Sequence, residues 1–380
     1  MPEQTNDIID ELISAILEKK DIAEISQIIS GIVDINQPGK YGKTPLLISA
    51  QKGHENIVRL LLEHKDINPN LPTIPESNPL LIAAHNGHAN VVKLLLEHKD
   101  IDPNLADKKY GLTPLYIATI KDHKNIVELF LDHERIKINQ ATTYDRTTPL
   151  YHAVNKDRTE VVNLLLADER TLHLEAPLYL LAQQGNLDGG RLDTFMRLLA
   201  DERTDPNKVV NRFTPLHIAA LNGHANVIEL LLAYGANVNQ ATTDDEVTPL
   251  FMAAHNGHAD VVRLLLAKDA DVNQVRKDNE VTPLFMAAQN GHEDVVRLLL
   301  AHEKIEINQA TTDGATPLFM AAQNGHAKVV QLLLSKGADP NKARTTDGAT
   351  PLFMAAQPGH ENIVRILLAN GADVNQARTD

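Results

Sequence analysis

The tripeptide Thr-Pro-Leu begins at Thr44, Thr113, Thr148, Thr214, Thr248, Thr282, Thr316 and Thr350, and Asn78-Pro79-Leu80 and Ala176-Pro177-Leu178 fill the two gaps. Successive starts lie 34, 35, 35, 28, 38, 34, 34, 34 and 34 residues apart. A period of this size, held along a chain of 380 residues, restricts the fold to stacked supersecondary units. The short 28-residue and long 38-residue intervals restore the register between them, so the irregular repeat near 167–213 reads as a modified unit rather than a domain boundary.

Each unit follows one grammar. Threonine caps a helix and proline fits its first position, where the missing N–H has no intrahelical partner to lose. Thr248 to His255 reads as a short first helix and Asn256-Gly257-His258 as the turn after it. A second helix from Ala259 to about Lys268 has Val261, Val262, Leu264, Leu265 and Leu266 on a band too wide for one partner, so neighbouring repeats must cover it. The rest of each unit reads as a turn-rich β-hairpin connector. Aromatics make up 4 % of the residues against 43 % hydrophobic, so the core is aliphatic.

This unit resembles the ankyrin repeat. The resemblance rests on Thr-Pro-Leu-His-Ile-Ala-Ala at 214–220, Asn-Gly-His at 222–224, Val-Ile-Glu-Leu-Leu-Leu at 227–232 and Gly-Ala-Asn-Val-Asn at 235–239, and it covers about residues 36–376. It implies an all-α repeat solenoid of helix-turn-helix units. Residues 1–35 form two amphipathic helices without Thr-Pro-Leu and are expected to be an N-terminal capping repeat, followed by ten full repeats in 36–380. In the irregular repeat the connector before Ala176 is short, so one finger is expected to be missing, and the next turn lengthens as Gly185 to Leu192. That insertion is either a tolerated indel or a hinge. The chain reaches Asp380 without a polar closing repeat, which reads as truncation or as an end packed on another molecule.

Catalytic chemistry has little support. There is no cysteine, no Gly-x-Ser-x-Gly elbow and no phosphate loop. Eight of the 17 histidines (54, 88, 123, 224, 258, 292, 326 and 360) occupy one repeat position, which architecture explains better than a metal site. Pro69, Pro72, Pro75 and Pro79 could set up a polyproline stretch, but a stiffened finger is the better reading. The expectation is therefore a nonenzymatic chain with no cofactor and no metal.

Tyr116, Tyr151, Phe251, Phe285, Phe319 and Phe353 follow Thr-Pro-Leu directly, a fixed place that marks inter-repeat packing. Tyr41, Tyr110, Tyr144 and Phe213 fall at fingertips and Tyr234 at the end of a second helix, positions that vary between units. In proteins of the resembled family the fingertips and first-helix ends form a concave binding surface. The resemblance therefore implies a protein-binding site of Tyr41, Lys43, Tyr110, Leu112, Tyr144, Asn211 and Phe213 at the tips, Lys52, Lys121, Lys156 and Leu221 at first-helix ends, and Tyr234. The expected role is a noncatalytic scaffold for a protein partner. The alternatives are a targeting module of a longer or multi-subunit enzyme and a secreted bacterial effector acting on a host protein.

The net charge of −14 argues against nucleic acid and anionic membrane as partners. No signal peptide or membrane span is evident, so a cytoplasmic protein is expected, in the host cytosol if it is an effector. It is expected to be monomeric unless its C-terminal end self-associates.

Overall fold

The computed structural model describes residues 2–72 and 77–376. Among these, 22 helices follow one another with no extended strand. They form two compact units, residues 1–177 with 189–194, and residues 178–188 with 195–380. Pro75 of the proline-rich connector and the last four residues lie outside the described residues.

The first unit opens with helices α1 (Pro2–Glu18) and α2 (Ile22–Ser30), which pack on α3 (Pro45–Lys52) and α4 (Glu55–Leu62) respectively. From there on, first helix packs on first helix and second on second within each unit. Outside the irregular repeat, the first helices from α3 on start as the Thr-Pro or Asn-Pro signal requires. Thr44 Oγ1 accepts the Leu47 N–H at 3.2 Å, Asn78 Oδ1 the Leu81 N–H at 2.8 Å and Thr282 Oγ1 the Phe285 N–H at 3.1 Å. Such a cap contributes about 1 kcal/mol.

Second helices preceded by a histidine, such as those after His88, His258 and His292, carry no side-chain cap from it, and these three rings are used elsewhere. In the second unit the His258 ring Nε2 lies 2.9 Å from the Leu221 carbonyl, His292 Nε2 2.9 Å from the His255 carbonyl and His326 Nε2 3.0 Å from the Gln289 carbonyl. These carbonyls belong to the last turn of the preceding repeat's first helix, where no intrahelical donor remains. Asparagine adds a second donor to the same oxygen: Asn290 Nδ2 reaches His255 O at 2.8 Å and Asn324 Nδ2 reaches Gln289 O at 2.8 Å. The first unit repeats the device with His88 and Asn86 on Gln51 O, at 3.1 and 3.0 Å.

Gly257 shows why this requires glycine. It has φ +78°, and a Cβ there would stand 2.6 Å from Nδ1 of His292 in the next repeat. The glycine is needed for its backbone conformation and for the approach of the next ring. Where the first unit lacks this pair it substitutes charge. Asp122 and Asp157 take the left-handed position with φ +61° and +56°. Arg158 Nη1 then pairs with Asp122 at 3.3 Å and Arg191 Nε with Asp157 at 2.5 Å.

A second cross-repeat bond lies at the connectors. Asn239 donates to the Asp269 carbonyl at 3.2 Å and accepts the Asp271 N–H at 2.8 Å, and Asn273 does the same to Lys304 and Glu306 at 2.7 and 3.0 Å. In the first unit Asn36, Asn70, Asn104 and Asn139 repeat the staple. The next such position is Leu174, which is buried, and only residues 168–174 join helix Thr159–Ala167 to helix Glu175–Gln184. The expected missing finger is thus absent there.

The expected β-hairpins are reduced to closed turns. One or two backbone bonds close each of these fingers, as in Thr142 N to Thr147 O at 3.0 Å, Thr242 N to Val247 O at 2.9 Å and Arg276 N to Val281 O at 2.9 Å. Val210 and Phe213 form a bridge around Asn211 and Arg212, both with positive φ, as a two-residue turn demands. Fingers too short for a ladder bond each other instead, for example Thr143 N to Tyr110 O at 2.9 Å and Lys277 N to Asp245 O at 3.0 Å. The second helix expected over 259–268 also ends earlier, at Leu266, with Leu264 and Leu266 only half-buried.

Gly257 and Gly235 separate the two demands on glycine. Gly235 also has positive φ, +87°, but a Cβ there meets nothing within 4 Å. Gly235→Ala should cost about 1 kcal/mol, the backbone term alone. Gly257→Ala should cost about 2 kcal/mol or more, because His292 must also give way. Urea unfolding of the two variants checks the order.

Candidate interaction surface

The tyrosines that follow Thr-Pro-Leu behave as packing residues. Tyr116 is buried, and its hydroxyl meets Thr147 Oγ1 at 2.6 Å and His152 Nδ1 at 3.4 Å. Burial pushes the Tyr116 hydroxyl's pKa up, the Thr147 bond opposing it. Phe251, Phe285 and Phe319 join Val247, Met252 and Met354 in one cluster of the second unit. Tyr151 is half-buried and Phe353 is 38 % exposed, so this position is not uniformly sealed.

Three fingertip tyrosines differ in kind. Tyr41 is 76 % exposed, Tyr110 40 % and Tyr144 81 %. The structure brings Tyr110 and Tyr144 together on consecutive fingers, edge to face, with ring centroids 6.2 Å apart at 89°. Their fingers are stiff. Asp107 accepts the Tyr110 N–H at 2.6 Å and the Leu112 N–H at 3.0 Å, and Lys109 Nζ sits 4.7 Å from the Tyr110 ring centre. Asp145 accepts from Thr142 Oγ1 at 2.5 Å and Thr147 Oγ1 at 2.8 Å, and the Thr142 bond leads in holding its carboxyl below the usual range.

Lys52 and Lys121 occupy the last turns of α3 and of helix Pro114–Lys121, and Lys156 follows helix Pro149–Asn155. All three are exposed, and a cation there also suits the helix dipole. Lys43 and Tyr41 line a cavity with Lys52.

Phe213 and Leu221 are not comparable. Both are half-buried and pack against the second unit's hydrophobic cluster. Phe213 also leans on the His217 ring, with centroids 6.2 Å apart. Asn211 is exposed but serves the tight turn, and Tyr234 caps helix Ala225–Ala233 away from the fingers in sequence, 38 % exposed. Most fingertips of the second unit are tied into ion pairs. Arg212 meets Asp244 at 3.0 Å and Asp245 at 3.2 Å, Arg276 meets Asp278 at 2.9 Å and Arg344 meets Asp347 at 2.6 Å.

The residue missed by sequence reasoning is His217. Its Nδ1 lies 2.7 Å from Thr214 Oγ1 and its Nε2 3.0 Å from the Val247 carbonyl, so it completes a capping box and ties the helix to the next connector. Burial pushes its pKa down to about 4. Among the described residues, no group of three His, Cys, Asp or Glu could hold a metal ion, and no helix is long and apolar enough to cross a membrane.

A sequence model of ankyrin repeats in three copies matches residues 7–107, 100–177, 178–276, 239–311, 270–344 and 306–378. The chain belongs to the ankyrin repeat family. Ankyrin repeats are generally protein–protein interaction modules and are typically noncatalytic. The chain is 45 % identical over 53 residues to ankyrin repeat domain-containing protein 49 of Bos taurus, which is 14 % of this chain and 22 % of that protein. It is 50 % identical over 44 residues to the E3 ubiquitin-protein ligase XBAT32 of Arabidopsis thaliana, 10 % of this chain and 9 % of the ligase. The chain therefore spans less than a quarter of either relative's length.

His217 gives this ankyrin array a pH dependence of known sign. An unfolded histidine titrates near 6.5, whereas the folded one holds off its proton until about 4. Between those values the unfolded chain binds the extra proton, so stability falls as pH drops from about 6.5 to about 4, by about 3 kcal/mol at most. In urea unfolding followed across that window, the stability advantage over His217→Gln should shrink as pH falls.

Proposed function

We propose that this chain is a noncatalytic scaffold that binds a protein partner through the fingertips and first-helix ends of its first unit. Helices α1 and α2 cap that unit, and residues 36–380 form the array they cap. The observation that carries this reading is the contrast in the fingertips. Tyr41, Tyr110 and Tyr144 project exposed rings from stiff fingers, while most fingertips of the second unit neutralise themselves with ion pairs. Tyrosine is among the residues enriched at interface hot spots, and a pre-ordered surface loses little entropy on binding. Phe213, Leu221, Asn211 and Tyr234 drop to supporting roles. The acidic chain favours a neutral or basic partner face overall.

A second reading, a targeting module within an enzyme assembly, draws on the likeness to a segment of a ubiquitin ligase. It uses the same surface and differs only in what the captured protein, or a covalently joined domain, does. A cytoplasmic location suits both readings.

A photo-crosslinking side chain placed at Tyr144 should capture a partner in lysate, whereas one at Asp313 in the second unit should not. Tyr110→Ala with Tyr144→Ala should weaken binding of the captured partner by about 30-fold, the loss expected of one hot spot, with the circular dichroism melt unchanged. Equal capture at both sites would remove the first unit as the binding face.

A further inference from the structure

The N-terminal end of the first unit holds a cavity of about 520 Å³ between α1, α3 and the finger that joins α2 to α3 through Tyr41. Its apolar lining comes from Ile13 and Leu17 of α1 and Ile48 of α3, with the exposed Tyr41 ring beside them. Lys40, Lys43 and Lys52 also line it. Helix α1 has 17 residues against 8 in α3, and Leu17, in its last turn, is 50 % exposed.

The charge here runs against the molecule. The chain carries −14, yet three lysines line this cavity against one carboxylate, Asp10. Asp10 Oδ1 is engaged by the Lys40 backbone N–H at 3.0 Å. Lys43 Nζ donates to the neutral Gln51 Oε1 at 3.1 Å, and Lys40 Nζ lies 5.0 Å from the Tyr41 ring centre. No carboxylate pairs with any of these three ammonium groups among the described residues. Lys19 and Lys52 add to the burial that lowers the pKa of nearby His54.

The cavity is also pre-formed. The backbone of Gly39 lies so close to α1 that a Cβ would stand 2.5 Å from Asp10 Oδ1 and 2.6 Å from Ile13 Cδ1. Gly39 N bonds Lys43 O at 3.0 Å and Gly42 N bonds Gly39 O at 2.8 Å, which closes the finger.

We infer that this cavity seats an acidic peptide segment of the protein partner, with carboxylates on Lys43 and Lys52 and one apolar side chain on Ile13, Leu17 and Ile48. The inference rests on the protein-binding reading above and deepens it. The apolar lining favours a peptide with a hydrophobic anchor over a bare inorganic anion. Lysines are compact point charges that suit separately placed carboxylates, and no arginine fork lines the cavity. The same charge reconciles an acidic chain with an acidic ligand, because screening confines attraction to the neighbourhood of the lysines.

Random dodecapeptides displayed on phage are panned against the full chain, and the enriched peptides are synthesised and titrated by fluorescence anisotropy. The titrations compare the parent, Lys43→Gln/Lys52→Gln and Tyr110→Ala/Tyr144→Ala, each checked for an unchanged thermal melt. The lysines are surface residues; if their double variant melts early, Lys43→Arg/Lys52→Arg, which keeps the charge, is compared with it. The expected peptides carry acidic residues around a Leu, Ile or Phe, bind the glutamine variant about tenfold more weakly, and weaken as salt rises. Peptides without an acidic excess, or peptides that bind the glutamine variant as tightly as the parent, overturn the inference. If the latter lose binding to the tyrosine variant, the protein-binding reading stands without this site. Peptides indifferent to both variants count against both proposals. Panning that enriches nothing overturns the cavity as a peptide site and leaves the wider reading to the crosslinking experiment.

Discussion

A helix C-terminus leaves carbonyls without donors, and this chain satisfies them from the next repeat. His292 and Asn290 both aim at the carbonyl of His255, and His326 and Asn324 at that of Gln289. The bond fixes the spacing of successive first helices and demands a glycine under the incoming ring. The helix pairs are too short to be stable alone, so the stack depends on such nearest-neighbour terms. The asparagine staples at the connectors give each junction a second point of attachment. Together they leave little freedom of register, which is why the period survives almost unchanged over five units starting at Thr214.

The departures obey the same constraint. When Asp122 and Asp157 replace glycine, the ring cannot enter, and an arginine from the next repeat pairs with the carboxylate instead. Both solutions connect the same two places. An exposed Asp–Arg pair is worth less than a buried contact, about 1 kcal/mol or below. These two weaker junctions immediately precede Leu174, where the asparagine staple is also missing. The irregular repeat thus concentrates changed junctions in one stretch of chain, whereas the near-identical repeats after Thr248 keep the standard one.

Much of this was legible in the sequence because capping and periodicity are local. Thr-Pro-Leu marked the helix starts, glycine the ends, and the short interval before Ala176 the absent finger. The connectors were harder. Turn residues announce a hairpin, but a ladder needs several paired residues, and these fingers have room only for one or two closing bonds. Phe213 and Leu221 illustrate a different obstacle. Their deviation from the repeat consensus suggested a surface role, yet an apolar substitution beside a cluster of phenylalanines packs into it. His217 looked like one more family-typical residue, and its bond to Val247, 30 residues on, is visible only when the connector folds back. The histidine–glycine contact had a signal that could have been used, the joint replacement of Gly by Asp and His by Arg.

Near-identical repeats can enlarge a surface but cannot make one part of it different from another. Differences along the surface therefore come from the repeats that vary, and the exposed fingertip tyrosines are among them. Two fingertips of the first unit hold exposed tyrosines, Tyr110 and Tyr144, on turns closed by Asp107 and Asp145. The N-terminal helix pair adds what a repeat cannot supply. A helix twice the length of its neighbour, packed beside a finger that bends onto it through Gly39, leaves a concavity with one wall apolar and three lysines along it. The face between α1 and α3 thus differs in shape and charge from the junctions between like repeats.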